Sequence, residues 1–217
     1  MSEKSYMSGK PEIKSDFCVS YSPENSGKLN INIQSKTAIL HGSKLKSITD
    51  KTLSDLDIKS GKISIIDNGG LYYVLQARIE AAVKAAHPKL IIESLPVFKK
   101  HATYNSSRER FRRSRLYLPG VQAKLMLNAG IHQPDAIILD LEDSVASSEK
   151  DAARFIVRNA LRTLDFFGAE RMVRINQGEL GLRDLEAVIP HNVHLILVPK
   201  VENAKQLTTV DEKIQSI

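Results

Sequence analysis

The sequence predicts two domains of different class, a small α+β domain followed by an α/β domain built on a parallel sheet. Two observations support this prediction. In the first 87 residues, segments that alternate apolar and polar residues come before a helix-forming stretch. From residue 113 onward, short apolar segments alternate four times with helical patterns, which is typical of parallel strands covered by helices. We therefore expect domains at 1–87 and 113–217, joined by a basic linker at 88–112.

The first domain is predicted to contain four strands and two helices. Alternating or apolar segments indicate strands at 16–23, 28–35, 62–70 and 71–77. Pro23, Asn25 and Gly27 lie between the first two strands and predict a hairpin-like turn. Apolar spacing close to the helical period and strong helix formers predict helices at 43–56 and 78–86.

The second domain is predicted to contain four strands, each followed by a helix. The strands are expected at 115–120, 135–140, 171–176 and 194–200. The helices are expected at 122–130, 147–164, 182–189 and from 201 onward. The longest of them places its apolar residues on one face, as a helix packed on a sheet does.

Composition excludes several classes of protein. The single cysteine, Cys18, excludes an internal disulfide framework and fits a reducing cytoplasm. No stretch approaches the roughly 18 apolar residues of a membrane span. The amino-terminal residues form no apolar run of the kind found in secretory signals. We therefore expect a cytoplasmic protein without a membrane partner.

The positive charge of the chain is local. The net charge is +6, and seven basic residues with one acid lie between Lys99 and Arg115. This segment has few aromatic residues and no nucleic-acid recognition motif. We interpret it as a solvated linker and strand entry, and we do not expect a nucleic-acid partner.

Three acids directly follow a predicted buried strand in AIILDLEDSV (136–145). Buried carboxylates are costly unless they are paired, so Asp140, Glu142 and Asp143 need an explanation. The carboxyl ends of parallel strands share one edge, where Arg174 from the next strand offers a planar fork for a carboxylate. Such a group of side chains suits a small keto- or hydroxy-acid with a divalent cation. The alternative is structural, because acids after a strand also cap helices and strand-end arginines form structural pairs.

Six segments, in this order, resemble the citrate lyase β-subunit family of the HpcH/HpaI aldolase superfamily. They are RRSRLYLPG (112–120), DAIILDLEDSV (135–145), EKDAARFIVRNAL (149–161), RMVRIN (171–176), DLEAV (184–188) and LILVPKVENAKQL (195–207). The resemblance implies a TIM barrel, of which the sequence holds the first half, four strands of eight. It also implies Mg²⁺-dependent cleavage of a carbon–carbon bond in a citryl, malyl or citramalyl thioester.

The resemblance assigns roles to individual residues. Arg174 and Arg113 are expected to bind substrate, and Arg174, Glu142 and Asp143 are expected to line the catalytic mouth. The Mg²⁺ ligands of the family follow the fifth and sixth strands, so we expect them beyond Ile217 and assign no metal ligand here. The chain is then expected to be an N-terminal fragment of a longer enzyme, inactive alone. A natural half-barrel that dimerises is the alternative.

The first domain resembles the citrate lyase acyl carrier (γ) subunit, through KSDFCVSY (14–21), LNINI (29–33) and ISIIDNGGLYYVLQARIEAAVKAA (63–86). That resemblance implies a phosphopantetheine-like prosthetic group, phosphoribosyl-dephospho-CoA, attached to a serine. In Glu12–Asp16 only Ser15 remains for this role, and without a gap Lys14 aligns with the modified position. The alternative is a domain that has lost its arm and serves for docking.

The expected partners follow from the two resemblances. They are an acyl thioester, bound to CoA or to a carrier, a small keto- or hydroxy-acid, and other citrate lyase-like subunits or further copies of the chain. A rival hypothesis is a non-catalytic acyl-carrier or docking protein of a citrate lyase-like complex.

Overall fold

The computed structural model describes residues 4–25 and 27–217. The chain divides into two compact units, of which the first ends at Pro96 and the second is Val97–Ile217. Each unit has its own four-stranded sheet. Within the described ranges, no helix is both long and apolar enough to cross a membrane.

The first unit is a mixed sheet with two helices. Its strands are β1 (Tyr6–Ser8), β2 (Phe17–Ser22), β3 (Leu29–Ser35) and β4 (Gly61–Asp67). Its helices are α1 (Ala38–Asp55) and α2 (Tyr72–Ala86). The strand order is β1-β2-β4-β3, in which β3 and β4 are parallel and the other two pairs are antiparallel.

The predicted hairpin between β2 and β3 is wrong. The two strands are not neighbours, because the chain passes through α1 and then places β4 between them. Ile63 and Ile65 of β4 are fully buried, whereas Ile31 and Ile33 of β3 are only half-buried. A central β4 therefore removes more apolar surface from water than a hairpin with β4 at the edge would.

The strand predicted at 71–77 is also wrong, since these residues begin helix α2. The eleven consecutive residues Tyr73–Val83 are all buried. A helix that is buried on every side loses the apolar periodicity that distinguishes it from a strand. Aromatic and β-branched residues at its start then favoured the strand interpretation.

A buried ion pair joins α2 to the segment before β2. Arg78 donates from Nε and Nη2 to the two carboxylate oxygens of Asp16, over 3.1 and 2.6 Å. Both side chains are almost fully buried. Removing one partner of such a pair leaves an uncompensated charge in the interior.

We therefore expect Asp16→Asn to lower the free energy of unfolding by about 3–5 kcal/mol. Asp57→Asn is a matched control, because Asp57 pairs with Lys59 at the surface, where such pairs contribute little. Urea unfolding of the two variants measures the difference. Equal small losses in both variants would contradict the structural role of the Asp16–Arg78 pair.

The second unit is an α/β domain with an entirely parallel sheet, as predicted. Its strands are β5 (Arg115–Pro119), β6 (Ala136–Asp140), β7 (Glu170–Arg174) and β8 (Leu195–Leu197). Its helices are α3 (Ala123–Asn128), α4 (Lys150–Thr163), α5 (Gly178–Val188) and α6 (Ala204–Ser216). The strands lie side by side in sequence order. In the described part of the chain neither sheet closes on itself, so the barrel itself is not confirmed.

Residues 97–112 pack against the amino-terminal end of this sheet. Arg112 pairs with the buried carboxylate of Glu170, and Arg110 donates to the backbone carbonyl of Asp135 over 3.0 Å. Arg171 is itself buried and donates to the carbonyl of Ala102. Two arginines of the predicted solvated linker, Arg110 and Arg112, are therefore engaged in contacts within the second unit.

Candidate carboxylate-binding site

The register of the parallel sheet gathers polar side chains at its carboxyl-terminal edge. Pro119, Asp140, Arg174 and Leu197 are aligned across β5, β6, β7 and β8. Side chains that end these strands, or directly follow them, therefore share one edge. This edge is where the sequence predicted a functional site.

Asp140 is the buried anchor of this edge. Its Oδ1 accepts the backbone N–H of Glu142 over 2.9 Å, and its Oδ2 accepts that of Ser144 over 3.1 Å and the Ser144 hydroxyl. Burial raises the pKa of the carboxyl, but hydrogen bonds from Arg174, Ser144 and the backbone outweigh it and hold the pKa at about 2. Asp140 thus stays ionised and turns the chain after β6.

Arg174 is oriented by two hydrogen bonds to Asp140. Its Nε and Nη2 donate to the two carboxylate oxygens over 2.7 and 2.8 Å. These bonds, more than any other contact, raise the pKa of the guanidinium, so Arg174 remains a cation. The remaining nitrogen, Nη1, lies 3.3 Å from Asp143 Oδ2 and 3.2 Å from Glu142 Oε2. The guanidinium also lies 5.3 Å from the ring centre of Tyr117.

Glu142 is buried beside this cation. Its Oε1 accepts from Gln177 Nε2 over 3.0 Å and lies 2.9 Å from Lys200 Nζ. Its Oε2 accepts no hydrogen bond from the described residues, although Arg174 Nη1 is close. The carboxylate is thus held by charge, with one oxygen not fully satisfied.

Asp143 and Lys200 form the exposed side of the cluster. Lys200 Nζ donates to Asp143 Oδ1 over 3.0 Å, and the two side chains are 56% and 57% exposed. The lysine's hydrogen bond lowers the pKa of Asp143, so the carboxylate is ionised at neutral pH. Lys200 has a φ of 49°, in the left-handed region that non-glycine residues rarely adopt.

Lys150, at the start of α4, holds the backbone beneath the acids. Its ammonium donates to the carbonyls of Leu141 and Glu142. Burial lowers the pKa of this lysine. The acids therefore project from a loop that is fixed both by Asp140 and by Lys150.

The structure brings together three of the predicted site residues, Arg174, Glu142 and Asp143. It does not bring Arg113 to them, because this residue precedes β5 and lies at the amino-terminal end of the sheet. Its guanidinium lies 4.2 Å from the ring centre of Phe111. Lys200 also joins the cluster. It ends the strand predicted at 194–200 and was assigned no role from the sequence, although its place at that strand end is the signal that points to it.

The cluster borders an open depression of about 430 Å³. The depression is lined by Tyr117, Leu118, Pro119, Asp140, Asp143, Ser144 and Arg174. Across residues 4–25 and 27–217, no three His, Cys, Asp or Glu side chains are grouped so that they could hold a metal ion. The acids here face Arg174 and Lys200 instead, so the described residues do not fit a Mg²⁺ site.

Ser15, the predicted attachment residue, lies in the first unit on a fixed loop. It has a φ of 62°, and its N–H donates to the carbonyl of Asn68 over 2.9 Å. The N–H of Asn68 donates in return to the carbonyl of Asp16 over 3.1 Å. Ser15 is half-buried and directly precedes the Asp16–Arg78 pair, whereas Lys14 is exposed.

The two units match two different protein families. Residues 113–217 match the HpcH/HpaI aldolase/citrate lyase family, and residues 4–86 match the family described as malonate decarboxylase delta subunit (MdcD). The chain therefore contains an HpcH/HpaI aldolase/citrate lyase family domain preceded by an acyl carrier domain of the malonate decarboxylase delta type. The predicted resemblance to citrate lyase is confirmed for the second domain, and the predicted acyl carrier class is confirmed for the first, through the malonate decarboxylase delta family.

Individual relatives match about half of the chain. The citrate lyase subunit beta of Haemophilus influenzae is 40% identical over 110 residues, which are 50% of this chain and 38% of the relative. The (3S)-malyl-CoA thioesterase of Cereibacter sphaeroides is 42% identical over 100 residues, or 45% and 35% of the two chains. A solved citrate lyase beta subunit from M. tuberculosis, complexed with oxaloacetate and magnesium, is 33% identical over 46% of this chain and 44% of that chain, with a TM-score of 0.39. The chain thus spans less than half the length of these relatives.

We expect Asp140→Asn to lower the free energy of unfolding at pH 7 by about 2–3 kcal/mol, because a folded pKa near 2 lies below the ordinary value of 3.8. A depressed carboxyl pKa stabilises the fold above pH 4, and this contribution is lost as the pH falls from about 4 to about 2. The variant should therefore lose less stability than the wild type over that range.

Urea unfolding at pH 7 and pH 3 measures this difference. Asp211→Asn, at an exposed position on α6, is the control. If the free energy of unfolding of Asp140→Asn falls between pH 7 and pH 3 as much as that of the wild type, Asp140 is not the main cause of the loss of stability in acid.

Proposed function

We propose that this chain is the carrier-bearing part of a carbon–carbon lyase that cleaves a citryl, malyl or citramalyl thioester. The observation that supports this best is that Arg174 lines an open depression, with Lys200 paired to the neighbouring Asp143, in a domain of the HpcH/HpaI aldolase/citrate lyase family. The proposed domain division remains 1–87, 88–112 and 113–217. The parallel sheet would then be the first half of a TIM barrel, completed by further strands.

Arg174 is suited to clamp the carboxylate of a keto- or hydroxy-acid. Asp140 fixes one edge of the guanidinium, so the nitrogen Nη1 is held towards the depression without further ordering of the side chain. Lys200 supplies a second cation beside it. Glu142 would hold Lys200 in place, and we assign it and Asp143 a supporting role at the mouth of the site.

The proposed reaction breaks the bond between the hydroxyl-bearing carbon and the α-carbon of the thioester. The hydroxyl loses its proton and becomes the carbonyl of a keto-acid, while the electron pair of the broken bond passes to the thioester as an enolate. Protonation of the enolate completes the cleavage. When bound, Mg²⁺ would stabilise the negative charge on oxygen, and its ligands are expected beyond Ile217. Arg113 remains a predicted substrate-binding residue, outside the described cluster.

Ser15 is proposed to bear a phosphoribosyl-dephospho-CoA arm that presents the acyl group. Support comes from its half-buried place on a loop tied to Asn68 and from the acyl carrier family match. Other citrate lyase-like subunits or further copies of the chain would be its partners. A cytoplasmic location also belongs to this proposal.

A second candidate function is a non-catalytic carrier or docking protein. The observation that favours it is the pairing of the three acids with Arg174 and Lys200, which leaves the described residues without a metal site. The carrier domain would then act alone, and the second unit would only bind a partner.

We expect the 217-residue chain alone to cleave neither citryl-CoA nor malyl-CoA with Mg²⁺, and the complete encoded protein to cleave one of them. In the complete protein Arg174→Lys should lower kcat/KM about 100-fold or more, because lysine cannot hold Asp140 at two points and still present a third nitrogen to the substrate carboxylate. Arg183→Lys, an exposed arginine on α5, is the control. Cleavage by the 217-residue chain would refute the expected downstream metal site, and no cleavage by the complete protein would favour the docking function.

The intact mass of the protein isolated from its native source tests the arm. We expect several hundred daltons beyond the encoded chain, and Ser15→Ala should remove this added mass whereas Ser20→Ala should keep it. An unmodified mass would overturn the prosthetic-group assignment. Added mass that survives in Ser15→Ala would place the arm on another residue.

A further inference from the structure

We propose that Asp143 is an internal competitor for substrate, because its carboxylate occupies the place between Arg174 and Lys200 that a substrate carboxylate would take. On binding, the side chain of Asp143 would turn into solvent, and the carboxylate of the keto-acid would replace it. This inference rests on the proposed function and adds a residue that sets the affinity of the same site.

The contacts of Arg174 fall into a fixed and an exchangeable set. Asp140 is 1% exposed and its two oxygens accept from Arg174, the Ser144 side chain and two backbone N–H groups, so it cannot leave without unfolding its loop. Asp143 is 57% exposed and lies 3.3 Å from the remaining nitrogen of Arg174. The carboxylate of Asp143 is therefore the one that an incoming ligand can displace from Arg174.

Asp143 is also held by weaker contacts than Asp140 is. Within the described residues, its carboxylate contacts the side chains of Arg174 and Lys200, and no backbone N–H bonds to it. Ion pairs between exposed side chains contribute little, since water competes with both partners. Displacement thus costs far less than breaking the buried Asp140 contact would.

The balance of charge in the cluster favours a ligand carboxylate that replaces Asp143 over one that binds in addition to it. Three carboxylates face two cations in the cluster, while the ammonium of Lys150 is directed to two backbone carbonyls. A further carboxylate added to this arrangement would increase an excess of negative charge. Replacing Asp143 keeps the local number of carboxylates at three, and the displaced charge is screened by solvent.

The space for the exchange is present. Asp143 itself lines the depression of about 430 Å³, together with Arg174 and the half-exposed ring of Tyr117. A small keto-acid entering there meets the exposed edge of Asp143 first. Its carboxylate would then bridge Arg174 Nη1 and Lys200 Nζ, as Asp143 does now.

Binding of pyruvate to the 217-residue chain tests the inference. We expect Asp143→Asn to lower the Kd of pyruvate by about threefold to tenfold, because an amide competes less well than a carboxylate for two cations. Methyl pyruvate, which lacks the carboxylate, should bind both proteins equally. The Kd values come from NMR titration, and thermal unfolding checks that each variant is folded.

Glu186→Gln is a matched control, because Glu186 is 55% exposed and also pairs with a lysine, Lys213, away from the site. It should leave the Kd of pyruvate unchanged. Arg174→Lys should raise the Kd of pyruvate in both the wild-type and the Asp143→Asn background. Tighter binding to Asp143→Asn that depends on Arg174 would support the competition.

Two results would overturn the inference in distinguishable ways. If the wild type binds pyruvate through Arg174 and Asp143→Asn binds it equally or more weakly, Asp143 is no competitor and the proposed function is untouched. If neither the wild type nor Asp143→Asn binds pyruvate more tightly than the Arg174→Lys variant does, the inference fails. The proposed role of Arg174 as a carboxylate clamp then fails with it.

Discussion

The paired hydrogen bonds between Asp140 and Arg174 are the interaction on which the carboxyl-terminal edge of the second unit depends. They join the ends of two neighbouring strands, orient the guanidinium and fix the turn that displays Glu142 and Asp143. A bidentate contact constrains both distance and angle, so each group determines the placement of the other. The contact that compensates for burying the charge of Asp140 also orients the guanidinium of Arg174 for a ligand.

The cluster therefore contains acids with different tasks. Asp140 is buried and fully bonded, Glu142 is buried with one oxygen lacking a hydrogen bond from the described residues, and Asp143 is exposed. Three acids within four residues looked alike in the sequence, but their solvent exposure separates an anchor from a support and from a displaceable group. The structural interpretation therefore holds for Asp140, whereas the functional interpretation stays a prediction for Glu142 and Asp143.

Much of the fold was predictable, because alternation of apolar strands and helices specifies parallel βα units without long-range information. The cluster around Arg174 was predictable for the same reason, since parallel register brings strand ends to one edge. Two features needed more than local patterns. From Tyr73 on, the first half of helix α2 is buried on all sides and has no apolar periodicity that reveals it, whereas strong helix formers predicted its second half, 78–86. The partner of β3 depends on which strand buries most apolar surface, and turn residues such as Gly27 do not specify this.

The central position of β4 has a consequence for how the first unit folds. β2 and β3 are consecutive in sequence, yet each pairs with β4 and neither pairs with the other. During synthesis, β3 has no sheet partner until residues 61–67 have been made. Most sheet contacts of this unit can therefore form only after the chain has passed through α1 and reached β4. We infer that this unit folds late on the ribosome, with β3 exposed as an unpaired strand until α1 and β4 follow it.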